Sequence, residues 1–78
     1  MRVFRQLSIP EKAHPLVRLL FQEMNRQHIG VLDMSDRSGI NKNTLQDWRT
    51  RTVPTVDNLE ACFTVLGCKL TIRQSRED

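Results

Sequence analysis

The chain has 78 residues, 38% of them hydrophobic and 27% charged, with three glycines, three prolines and two cysteines. That is enough for one small domain of ordinary globular composition, in which nothing suggests disorder along the whole length, and the longest apolar runs are only a few residues, too short to span a membrane. Twelve Lys and Arg against nine Asp and Glu give a net charge of +3 and a pI near 9.4, a mild basicity that favours a polyanionic partner without requiring one.

Residues 1–14 read as an N-terminal arm or short strand, with Val3, Phe4, Leu7 and Ile9 punctuated by Pro10 and Pro15. Pro15 suits the first turn of a helix, where its missing N–H costs nothing. Val17, Leu20, Phe21 and Met24 then fall at i, i+3, i+4 and i+7, which predicts a helix over 15–27 with Gly30 marking its exit. A two-turn helix from Val31 follows and ends at Gly39, because glycine tolerates the left-handed conformation that closes a helix. Asn41 is a natural N-cap for a third helix over 42–50, in which only Leu45 and Trp48 point inward. Pro54 ends that segment, and Thr55 caps a fourth helix from Val56 to about Leu66, with Val56, Leu59, Phe63 and Leu66 along one side and Gly67 as its stop. Residues 68–73 alternate polar and apolar, the pattern of a half-buried strand. The expected domains are an arm over 1–14, a helical domain over 15–67 and a C-terminal strand and tail over 68–78. The fold class is all-α: a compact bundle of four to five short helices, with room for short terminal β-strands.

The informative constellation lies between residues 31 and 50. A helix-turn-helix needs a small residue where its second helix crosses the first, a glycine in the turn, and apolar residues that lock the second helix while its other face stays polar. Ser35 is the small residue, Gly39 the turn, and Ile40, Leu45 and Trp48 the lock. In Gly39-Ile40 with its polar run, Leu45, Trp48, Pro54, Asp57-Asn58-Leu59 and Leu66-Gly67, the chain resembles the lambda-repressor-like (XRE or Cro) helix-turn-helix family over residues 16 to about 70. The resemblance implies about five short helices, DNA binding through the second helix of the motif, and dimers on inverted repeats. Three positions depart from the family pattern. Val31 stands where many members carry a backbone-contacting Gln, Ser35 replaces the usual Ala, and Ser38 replaces an apolar residue.

With Leu45 and Trp48 inward, the outward stripe of the third helix holds Lys42, Asn43, Gln46, Asp47 and Thr50, with Thr44 and Arg49 beside it. Amides suit adenine edges, Lys and Arg suit guanine, and a carboxylate accepts from cytosine. Lys42, Asn43, Thr44 and Gln46 are therefore the expected base readers. Asn41, Arg49, Thr50 and Arg51 are the expected phosphate contacts. Asp47 repels phosphate, so it either contributes specificity or pairs with Arg51 at i+4. Against a merely solvated surface stand the absence of Glu and Ala from this face and its short amide and hydroxyl side chains. Trp48 reads as core rather than as a stacking platform, because platforms use several exposed aromatics and this chain has one Trp, three Phe and no Tyr.

Cys62 and Cys68 read as reduced thiols, and His14 and His28 as surface residues near helix ends, with no metal-ligand spacing among the four. No nucleophile elbow, phosphate-binding loop or paired-carboxylate cleft is present, so no enzyme, cofactor or metal is expected. The segment Met1–Gln6 lacks the apolar run of a secretory signal, which predicts a cytoplasmic protein without a membrane partner. Leu70 and Ile72, on the terminal strand, are the expected dimerisation residues, pairing with residues 3–7 or with a second subunit. A two-fold dimer would set two reading helices one DNA turn (~34 Å) apart. The function that follows is a sequence-specific regulator, of the repressor kind, bound to double-stranded DNA. The alternative is an antitoxin-like module whose partner is a protein, a toxin or another regulator, with or without DNA. RNA binding is disfavoured by the scarcity of stacking aromatics.

Overall fold

The computed structural model describes residues 4–70. The first helix, α1 (Pro15–Gln27), begins where His14 Nδ1 accepts the Leu16 N–H at 3.1 Å and Pro15 supplies a preset φ. Its apolar stripe, Val17, Leu20, Phe21 and Met24, is buried as the spacing predicts, while Leu16 and Leu19 lie on the outer side. The exit is set two residues earlier than Gly30. His28 holds a left-handed backbone (φ 59°), its N–H reaches Asn25 O at 3.2 Å, and the Ile29 N–H reaches Met24 O at 2.9 Å. Those two bonds close the helix as a Schellman motif around a non-glycine residue. Gly30 is extended instead and serves as N-cap of the next helix.

That helix, α2 (Val31–Ser38), is eight residues long and carries Asp33 in its first turn and Arg37 in its last, each favourable to the helix dipole and paired with one another at 3.0 Å. Met34 is its one buried residue. Gly39 closes it with φ 79° and an N–H to Ser35 O at 2.9 Å. The third helix, α3 (Lys42–Asp47), starts on Asn41, whose Oδ1 accepts the Asn43 N–H at 2.7 Å.

The expected helix over 42–50 is therefore three residues too long. Beyond Asp47 the chain coils into a turn in which Asp47 O accepts the N–H groups of Thr50, Arg51 and Thr52 at 3.2, 2.7 and 3.0 Å. The physical reason is that no side chain between Trp48 and Leu59 is buried, so nothing pins a further helical turn, and Pro54 biases Val53 toward extended backbone. The fourth helix, α4 (Val56–Val65), is capped by Thr55 Oγ1, which accepts the Asn58 N–H at 3.2 Å. Its inner side is Leu59, Cys62, Phe63 and Leu66; Val56, expected there, is 74% exposed because it lies in the first turn, beyond the edge of the core. A second Schellman closure ends the helix, with Gly67 N–H to Thr64 O at 2.9 Å and Cys68 N–H to Phe63 O at 2.8 Å.

The helices form an all-α bundle in which α3 packs on α2, α2 on α4, and α4 on α1. One core unites them, from Val17, Leu20, Phe21, Met24, Ile29 and Met34 through Leu45 and Trp48 to Leu59, Cys62, Phe63 and Leu66. Each fully buried member of that size contributes about 1.5–3 kcal/mol relative to exposure. Among the described residues there is no strand. Residues 4–10 run without regular structure along the bundle, with Leu7 and Ile9 packed on the core, and Leu70 likewise packs on the core of its own chain. Val3 and Ile72, expected in terminal strands, lie outside the described residues.

Candidate nucleic-acid interface

The site is built by the turn between α2 and α3. Ser35, at the crossing, donates its Oγ–H to Ile40 O at 2.6 Å, and Ser38 Oγ accepts the Ile40 N–H at 3.2 Å. Both hydroxyls thus bind the backbone of one residue, and each serine does locally what an apolar side chain would do by packing. Ile40 is half-buried, while Leu45 and Trp48 are fully enclosed and fix the rotation of α3. The rotation that buries those two turns Lys42, Asn43 and Gln46 to solvent, together with Asn41 before the helix and Thr50 and Arg51 after it. Thr44 and Asp47 sit half-buried at the flanks. Asp47 and Arg51 form no ion pair among the described residues; their contact is the backbone bond from Arg51 N–H to Asp47 O.

Arg49, expected at a phosphate, is occupied within the protein. Its Nη2 donates to Ser8 Oγ at 2.7 Å and to Ser8 O, its Nη1 donates to Gln46 Oε1 at 3.3 Å, and the guanidinium carbon lies 4.8 Å from the centre of the Phe21 ring. The backbone that carries Ser8 is itself fixed. Asn25 Oδ1 accepts the Leu7 N–H at 2.7 Å and Asn25 Nδ2 donates to Leu7 O at 2.8 Å, so one side-chain amide satisfies both polar groups of one residue. Phe4 stacks on the His28 ring with centroids 4.9 Å apart. These anchors lay the N-terminal segment beside the end of α3. Between that segment and α2 runs an open groove of about 900 Å3, lined by Phe4, Leu7, His28, Leu32, Asp36 and Gln46.

Read from sequence alone, the candidate interface lacked two residues that hold the N-terminal segment beside it, Asn25 and Ser8. Asn25 carried a weak signal, as a poor helix former in the interior of α1; Ser8 carried none. Away from the interface, Glu23 is held by the Arg26 guanidinium and by Gln27 Nε2 (2.7 Å), which together keep its carboxyl at about 2. Gln27 also donates to Leu66 O at 2.7 Å, tying α1 to the end of α4. Both cysteines are free thiols, and burial pushes Cys62 up to about 11. Among the described residues no helix is long and apolar enough to cross a membrane, and no three His, Cys, Asp or Glu side chains cluster as metal ligands. Compared with known proteins, the chain matches no family model, no curated protein and no solved structure.

Proposed function

We propose that the protein is a sequence-specific DNA-binding transcriptional regulator of the lambda-repressor-like kind, a cytoplasmic repressor that reads the major groove with α3 as a homodimer on an inverted repeat. The observation that carries this is the rotational lock on α3. Two enclosed side chains, Leu45 and Trp48, hold a short helix so that Lys42, Asn43 and Gln46 are exposed on its outer face. Hydrogen-bonding side chains of these types on a rigid, exposed helix match the donor and acceptor pattern of base edges. Asn41, Thr50 and Arg51 border that face, where they would meet phosphates and set the register.

The test is selection from a random duplex library at about 150 mM salt, where non-specific contacts are weakened. Enrichment of an inverted repeat is the expected result; binding that merely fades with salt and selects no sequence refutes the proposal. At the selected site Gln46→Ala should cost about 1–3 kcal/mol and little on random DNA, whereas Arg51→Ala should weaken both alike.

One observation favours a second function, docking of a protein partner. Leu32, 63% exposed, stands at the groove between the N-terminal segment and α2. Its signature would be a partner that co-purifies at fixed stoichiometry and is lost on Leu32→Asp, with the helical fold retained.

A further inference from the structure

Given DNA reading by α3, we propose that Arg49 is a positioning residue that fixes the orientation of the Gln46 amide and thereby sets which base that glutamine accepts. A glutamine amide has two faces, one donating and one accepting, and an unrestrained side chain offers either order to a base pair. A guanidinium has donors only, so the atom of Gln46 that faces Arg49 at 3.3 Å must be the carbonyl oxygen. The amide nitrogen then lies on the side away from Arg49, and Oε1 keeps a second lone pair with which to accept. The order of donor and acceptor along the outer face of α3 is therefore set by Arg49.

Arg49 itself is held from three directions, which is what lets it act as a reference. Phe21, fully buried, lies beneath the guanidinium; Ser8 takes Nη2 on both its hydroxyl and its carbonyl; and Gln46 takes Nη1. Ser8 follows Leu7, whose backbone is clamped by Asn25 from α1. The chain of contacts runs from α1 through the N-terminal segment to Arg49 and Gln46. Specificity at one base pair thus depends on residues that touch no DNA. A planar fork is needed for this, since an ammonium is a point charge that cannot face Ser8 and Gln46 in one plane while lying on Phe21.

Arg49→Lys separates this role from a phosphate contact, because it keeps the charge and removes the fork. Two readouts decide. In the free protein, NMR of the Gln46 side-chain amide should show a restrained group in the wild type and an averaged one in Arg49→Lys, with Asn25→Ala giving an intermediate result. On selected DNA, Arg49→Lys should lose discrimination at a single base-pair position by roughly tenfold, the same position affected by Gln46→Ala, with the salt dependence of binding unchanged. A Gln46 amide already mobile in the wild type overturns the proposal whether or not the protein binds DNA. So does a variant that weakens all sequences alike. A restrained amide in a protein that selects no sequence would refute DNA reading, and with it the specificity role, while leaving the Arg49–Gln46 contact intact.

Discussion

Among the described residues three carry left-handed backbone, His28, Gly39 and Gly67, and each closes a helix. At Gly39 an added Cβ would meet nothing within 4 Å, so substitution costs backbone strain alone. Gly39→Ala should therefore destabilise the protein by about 1–2 kcal/mol, seen as a lower urea midpoint at constant m-value. An unchanged midpoint would mean that the turn between α2 and α3 is not held in this conformation. His28 bears the same conformation with a side chain, and its ring is used, stacked on Phe4. Cys62 makes a different prediction. Its thiol ionises near 11 when folded and near 9 when free, so this group contributes fully below about pH 9, and its contribution is lost as pH rises toward 11. At pH 8 iodoacetamide should label half-buried Cys68 well before Cys62, whose labelling should track unfolding. Equal rates would show that the middle of α4 opens readily.

With six residues α3 is too short to persist alone, and it exists through its cap and its two packed side chains. Asn41→Ala should cost about 1 kcal/mol, measured by thermal unfolding, and Leu45→Ala should cost about 2–5 kcal/mol. Loss of the cap should also weaken any DNA binding, because the freed N–H groups lie at the end that carries Lys42 and Asn43. The starts of all four helices, the end of α2 and the face of α1 were legible in sequence, since caps, glycines and apolar spacing are local signals. The end of α3 was not: residues 49–53 contain no buried position to carry a phase, and the helix simply runs out of core. Likewise, the exposed outer face of α3 followed from Leu45 and Trp48, but the contacts of Arg49 did not. Its partner Ser8 is 41 residues away, and Leu7 lies 18 residues from Asn25. Nothing in the local pattern of either segment states that they meet.

At the scale of the molecule the N-terminal segment is part of the fold without being an element of it. The Leu7 amide should be protected from hydrogen exchange in the wild type and unprotected in Asn25→Ala, while amides within the four helices keep their protection. Loss of protection throughout would mean that the segment supports the core and not only the end of α3. Acid acts on the opposite side of α1. The Glu23 carboxyl is harder to protonate folded than unfolded, so its contribution is complete above about pH 4.5 and drains away as pH falls toward 2. Glu23→Gln should flatten the stability profile within that window and lower stability near neutrality, the variant and the wild type converging as pH falls toward 2. Finally, the chain has one tryptophan, and it lies 3% exposed directly beneath the outer face of α3. The protein therefore carries its own optical gauge. Trp48 emission will be blue-shifted in the native state and will move to the red as α3 leaves the core. A ligand that settles on the outer face of α3 should leave its wavelength still, and one that pries the helix loose should not.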